Sequence, residues 1–378
     1  MSLENWCQQD GHADFELFED FNEWINEGEV DIESPLLQKL LAIGLSTPSK
    51  AFFSADKEAY EQALRAYRIA RRHEALSREY LIETFGPEDG QHWYERNEQR
   101  FIQLIDRLSE EMVVPFIGAG ISVGGGFPTW ADHLRQQGRT AGIAKEEIET
   151  WLSQGNYEQI VAHIEAAHGR DVFSQEIRDV FGKRGSIQKI TLLISELFKD
   201  TLITTNYDKL LEQVFDAGAG REVQLISGIN SMEHPAPKKT TIIKLHGDIK
   251  YPAQCILGKA QYDEAYGDKH LDLNLNIPKI LSYHFKNNSF LFIGCSLKND
   301  RTIQVFRATK ETAGDYSFPQ HFCIEQSPKN IKDLIERNIE LLQLGITPIW
   351  YPHKKYDHPE IVLQCLRNEI NYRKARIY

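Results

Sequence analysis

Four short stretches of this chain gather the side chains that can bind or transform a small molecule. Val113–Trp130 reads VVPFIGAGISVGGGFPTW, an apolar, β-prone run leading straight into a glycine loop. Gly118 and Gly120 lack the Cβ that would hold a ligand away from the backbone. The N–H groups that follow, with the hydroxyl of Ser122, suit a pyrophosphate. The spacing through Gly124, G-x-G-x-x-x-G, is one residue off the common dinucleotide fingerprint, so alone it fits a structural turn as well as a nucleotide site. LITTNYDKLLE (Leu202–Glu212) sets Thr204, Thr205, Asn206 and Asp208 between a short strand and a helix, where Asn and Asp also serve as N-caps. TIIKLHGDI (Thr241–Ile249) ends its apolar run on His246 and Gly247. SFLFIGCSLKND (Ser289–Asp300) ends on Gly294, Cys295, Ser296 and Leu297, with Asp300 a candidate N-cap for the next helix. An imidazole with an intrinsic pKa near neutrality is a candidate general base.

The elements that must position these groups alternate from Met112 onward. Apolar runs predict strands at Val113–Ile117, Thr201–Thr204, Thr241–Leu245, Phe290–Ile293, Gln320–Glu325 and Thr347–Tyr351. Helical spacing predicts Ala144–Gln154, Tyr157–His168, Val172–Phe181, Ile187–Leu197 and Lys209–Phe215. This βα alternation predicts an α/β fold with a Rossmann-like parallel sheet, whose strand ends converge on a ligand crevice. Residues 131–197 are too long for one crossover and read as an inserted helical subdomain over the site. Residues 1–100 read as a helical N-terminal region preceding a domain at 101–378. There Phe15, Phe18, Phe21, Trp24 and Ile25 fall at three- and four-residue steps. That stripe fits packing onto the body of the protein, or an arm docking on a second subunit or partner.

Composition narrows the function classes. With 378 residues, 41% hydrophobic and 26% charged, the chain reads as an ordinary globular protein, with neither a membrane-spanning run nor a secretory signal. Five single cysteines (Cys7, Cys255, Cys295, Cys323, Cys365) fit a reducing cytoplasm better than a disulfide framework. Net charge is −12, and residues 1–100 hold 21 acidic against 10 basic side chains, which leaves the remainder near neutral. Direct nucleic-acid binding is therefore not expected. The one basic cluster, Arg367, Arg373, Lys374 and Arg376, reads as a solvated helix end.

GAGIS at Gly118–Ser122, TNYD at Thr205–Asp208, LHG at Leu245–Gly247 and GCSL at Gly294–Leu297 occur in the order of the sirtuin NAD-binding core, and the chain resembles that superfamily. It is most similar to the divergent bacterial branch whose members hydrolyse NAD in antiphage defence, some paired with a HerA-like ATPase. The resemblance implies NAD as substrate and catalytic roles for three residues: Asn206 orienting the ribose or a water, Asp208 orienting the site, and His246 as general base. It implies NAD contacts from Gly118, Ala119, Gly120, Ser122, Pro128, Trp130, Thr205, Gly294, Ser296 and Leu297. Glu325, at a later strand end, would take the adenosine ribose, where sirtuins commonly have Asn.

Two departures weigh against the deacylating branch. No CxxC pair occurs, so the zinc ribbon is absent in its usual form and no metal is expected. Pro128-Thr129-Trp130-Ala131 also lacks the arginine usual after the glycine loop. The resemblance thus implies a cytoplasmic NAD glycohydrolase, a homo-oligomer with a possible HerA-like partner. A protein deacylase or ADP-ribosyltransferase, and a non-catalytic NAD- or ADP-ribose-binding scaffold, are the alternatives.

Overall fold

The computed structural model describes residues 15–375 apart from 29–31, 33, 219–221, 229–237, 299 and 315–316. Cys7 and Arg376 lie outside the described residues. The chain divides into two compact units, one running through Ile105 and resuming at Ile361, the other spanning Asp106–Glu360.

The first unit is helical, with Glu19–Glu27, Pro35–Ala42, Pro48–Ala55, Lys57–Ala75 and Arg78–Phe85 as its complete helices. The aromatic stripe packs inside it: Phe18, Phe21 and Ile25 are buried with Phe52, Tyr60 and Tyr67. The ring of Phe21 meets that of Tyr60 edge-on at 5.1 Å between centroids. The last two of these helices are separated at Leu76-Ser77, where Ser77 takes a left-handed φ of 58°. The C-terminal basic cluster is not wholly solvated. Arg367 pairs with Asp20, while Glu369 in the same helix accepts Arg68 at 2.6 Å and Arg72 at 3.0 Å.

The second unit is built on seven strands: β1 (Val113–Ile117), β2 (Thr201–Thr204), β3 (Val223–Ser227), β4 (Thr240–Lys244), β5 (Ser289–Ile293), β6 (His321–Gln326) and β7 (Ile346–Tyr351). All are parallel, in the order β3-β4-β2-β1-β5-β6-β7, and the fold is Rossmann-like α/β. Strands β4 and β5 are buried throughout, as helix-covered parallel strands should be. Pro115 cannot donate a ladder bond, and β1 registers with β2 only from Phe116 onward. Edge strand β3 was not legible as a strand: it is only half-buried, and Gln224 and Ser227 interrupt its apolar residues.

The order reverses about β1. The chain leaves β1 for β2, β3 and β4 on one side and returns to β5, β6 and β7 on the other. In such sheets the ligand crevice lies beyond the carboxyl ends of the strands at the reversal.

Five helices intervene between β1 and β2: Trp130–Thr140, Lys145–Ser153, Tyr157–His168, Arg170–Phe181 and Lys189–Leu197. The inward faces of the first four (Leu134, Ile148, Ile160, Ile164, Phe173, Ile177) form one apolar cluster that also takes in Tyr207 and Leu210 after β2, and Ile249 and Leu257 after β4. These four helices are thereby packed onto the loops that end the central strands.

His133 lies in this cluster against the rings of Trp130, Phe173 and Phe181, and its Nε2 has no hydrogen-bond partner. Burial pushes its pKa down to about 4. The unfolded chain takes up this proton below about pH 6.5 and the folded chain only near pH 4, so the neutral ring's contribution is intact above pH 6.5 and is lost as pH falls towards 4. Over that window the loss amounts to about 3 kcal/mol. His133→Phe should therefore narrow the fall in urea midpoint between pH 7.5 and pH 5. An unchanged fall in the variant would contradict this account of His133.

Candidate functional site

Beyond β1, β2, β4 and β5 lies a cleft of about 780 Å³, of the size that holds small-molecule ligands. One backbone contact shapes its floor. Gly118 N–H donates to the carbonyl of Ile293 at 2.9 Å, and Gly120 N–H to that of Gly294 at 3.0 Å. A Cβ on Gly118 would sit 2.4 Å from the Gly294 oxygen, so glycine is required for the loops after β1 and β5 to meet. The glycine loop is thus fixed by the neighbouring strand end before any ligand arrives.

The loop after β2 is fixed as firmly. Thr204 donates its hydroxyl to the Ile117 carbonyl at 2.8 Å and accepts the N–H of Asn206 at 3.0 Å, which turns the chain out of β2. Tyr207 lines the cleft and also packs into the apolar cluster, donating its hydroxyl to Ile256 O at 2.6 Å. Its neighbours Asn206 and Asp208 line the cleft. Asp208 Oδ1 accepts the N–H of Leu210, where the Leu210–Gly218 helix begins, so the capping role expected of it is present.

Beneath this loop lies Lys244, the last residue of β4 and fully buried. Its ammonium has three hydrogens and three acceptors: Tyr207 O at 3.1 Å, Asp208 O at 2.6 Å and Glu212 Oε1 at 2.9 Å. Burial raises the Glu212 pKa, against the opposing pull of Lys244. Lys244 ties the strand that delivers His246 to the loop that delivers Asn206.

Two residues past Lys244, His246 lines the cleft at 8% exposure. Gly247 then turns the chain at φ +101°, with the Cys255 backbone 3.0 Å from where a Cβ would stand. His246 Nε2 lies 2.9 Å from Tyr266 Oη, and burial pushes the imidazole pKa down to about 4. The ring is therefore neutral at physiological pH, and a weaker base than its intrinsic value suggests.

Gly118, Ala119, Gly120, Pro128, Trp130 and Thr205 line the same cleft. So do Gly294, Ser296, Leu297 and Glu325. Ser122 differs from expectation. It is buried rather than lining the cleft; its hydroxyl donates to Asp208 Oδ2 at 2.7 Å and accepts Asn206 Nδ2–H at 3.1 Å, so it orients those two side chains from below. Glu325 is already engaged: Arg337 donates to its Oε1 from two nitrogens at 3.3 Å, while burial lifts its pKa to about 7. Arg337 also donates to the Ser296 carbonyl at 3.1 Å, bracing the loop in which Leu297 is held at φ 46°.

Asp300 accepts the N–H of Ile303 as an N-cap, and burial lifts its pKa to about 6. Among the described residues no group of three His, Cys, Asp or Glu side chains is placed to hold a metal, and no helix is long and apolar enough to cross a membrane.

Sequence reasoning missed Lys244, Tyr262, Tyr266 and Arg337. Only Lys244 carried a usable signal, a charge inside an apolar strand two residues before the histidine. Lys244→Met should cost about 3–5 kcal/mol by stranding Glu212, and Lys244→Met/Glu212→Leu should recover part of that loss. Urea unfolding measures both. A single variant within about 1 kcal/mol of the parent would contradict the role assigned to Lys244.

Comparison with known proteins gives consistent relatives. A model described as SIR2-like domain matches residues 200–349, the segment from β2 into β7. NAD(+) hydrolase ThsA of Bacillus cereus (strain MSX-D12) is 25% identical over 234 residues, 62% of this chain and 47% of that protein. NAD(+) hydrolase ThsA of Acinetobacter baumannii (strain 532279) is 24% identical over 59% of this chain and 44% of its own. The chain thus spans under half the length of these relatives. A crystal structure of a Sir2 homolog–NAD complex aligns with 71% of this chain and 94% of its own at a TM-score of 0.32 and 14% identity. That superposition is too loose to transfer residue roles.

Proposed function

We propose that the chain is an NAD glycohydrolase that splits NAD⁺ into nicotinamide and ADP-ribose and acts as an effector of antiphage defence through NAD depletion. The observation that carries the reading is the convergence of Asn206, Asp208 and His246 with the Gly118–Gly120 loop in one cleft at the sheet's reversal point. The SIR2-like match and the relatives named NAD(+) hydrolase support the substrate.

The chemistry asks little acid of the protein. The C1′–N bond breaks with its electron pair going to nicotinamide, which leaves neutral from a cationic pyridinium. Water adds to the electron-poor C1′ and gives up one proton, so NAD⁺ and water yield nicotinamide, ADP-ribose and H⁺. A neutral imidazole and an amide suit a reaction that develops positive charge on the ribose. Asn206, held by Ser122, would orient the ribose hydroxyls or the water. Asp208, anchored by Ser122 and Leu210, would hold that arrangement in place. His246 would accept the proton. The Gly118–Gly120 loop, with Thr205, Ser296 and Leu297, would hold the pyrophosphate and ribose, Trp130 and Pro128 would close the nicotinamide end, and Glu325 would face the adenosine ribose and disfavour a 2′-phosphate. Cytoplasmic location, homo-oligomerisation and control by a HerA-like ATPase belong to the same proposal.

Chromatography of the products formed from NAD⁺ tests it, for the protein alone and with the product of a neighbouring ATPase gene. Nicotinamide and ADP-ribose should appear, and Asn206→Ala and His246→Ala should each lower the rate by about 100-fold or more. Tight NAD⁺ binding without turnover would favour a scaffold instead, and O-acyl-ADP-ribose formed from an acylated peptide would favour a deacylase.

A further inference from the structure

We propose that Tyr266 is the positioning residue for His246: its phenol oxygen accepts the Nε2–H, fixes the tautomer with a bare Nδ1 and leaves that nitrogen for the cleft. The direction of this bond and its kinetic readout rest on the hydrolase reading; the contact itself does not.

Tyr266 ends the Lys259–Tyr266 helix and is fully buried behind His246, its hydroxyl 2.9 Å from Nε2. His246 and Tyr262 line the cleft, and Tyr266 does not. The ring nitrogen bonded to Tyr266 is therefore turned away from any ligand, and Nδ1 is the one available to it. Tyr262 stacks on Tyr266 at 5.9 Å and meets the imidazole edge-on at 5.3 Å.

The direction of the bond follows from what the cleft-facing nitrogen must do: a general base needs a bare Nδ1, which puts the ring proton on Nε2. Burial raises the Tyr266 pKa, so the phenol is neutral, and its oxygen lone pairs can accept Nε2–H. The helix end is fixed as well: Asp272 N–H donates to Tyr266 O at 2.8 Å, and Arg301 donates to the Gly267 carbonyl at 3.0 Å. The opposite tautomer would present an N–H to a group that must lose a proton, and no charged neighbour shifts the imidazole to compensate.

The test compares the parent protein with Tyr266→Phe, reading ¹⁵N-histidine NMR, NAD⁺ turnover and thermal unfolding. His246→Ala identifies the resonances. In the parent, His246 should carry its proton on Nε2. In Tyr266→Phe the two tautomers should mix and kcat should fall about 100-fold, with KM within about threefold and Tm within a few degrees. A parent imidazole protonated on Nδ1 would overturn the proposal, as would an unchanged kcat or a parallel loss of kcat, KM and Tm. If the parent shows no turnover, the hydrolase reading fails while the parent's tautomer still decides the role of Tyr266.

Discussion

The cleft depends on two loop backbones touching where β1 and β5 end. Gly118 and Gly120 donate to the carbonyls of Ile293 and Gly294, and a single Cβ at Gly118 would occupy the space of the Gly294 oxygen. Because the chain reverses direction in the sheet at β1, the two strands meet there without a direct connection. Contact between their loops gives the crevice a floor of backbone. A glycine at this point is therefore primarily a packing requirement, and the close approach open to a ligand is its consequence.

The polar groups above that floor are held from behind. Lys244 gathers the carbonyls of Tyr207 and Asp208, Ser122 bridges Asn206 and Asp208, Tyr266 holds His246, and Arg337 holds the Ser296 carbonyl. Supporting contacts of this kind give a site its precision, since each group facing the cleft loses the freedom to turn away. They also tune its charge. Burial keeps His246 neutral at physiological pH and lifts Asp300 and Glu325 toward neutrality. The wall offered to a ligand is thus less charged than the composition of its residues suggests.

How much of this was readable from the chain follows a physical divide. Buried parallel strands are near-continuous apolar runs, and β1, β2, β4, β5, β6 and β7 fall within a residue of where such runs placed them. Edge strand β3 carries no such run and was invisible. Residues of the candidate site that end a strand stood out because small and polar types interrupt apolar ones. Those acting from a distance in sequence did not: Tyr266 lies 20 residues from His246, and Arg337 lies 41 from Ser296. Ser122 shows the converse: a hydroxyl in a glycine loop reads as a ligand contact, and only the fold reveals Asn206 and Asp208 as its partners.

The most direct test of the central claim, that this cleft is an NAD site, is a crystal structure of the His246→Ala protein with NAD⁺. The account places the pyrophosphate over Gly118–Gly120, the nicotinamide ribose within hydrogen-bond distance of Asn206, and the adenosine ribose at Glu325. Dinucleotide bound outside the β1–β5 crevice, or reversed within it, would contradict the account.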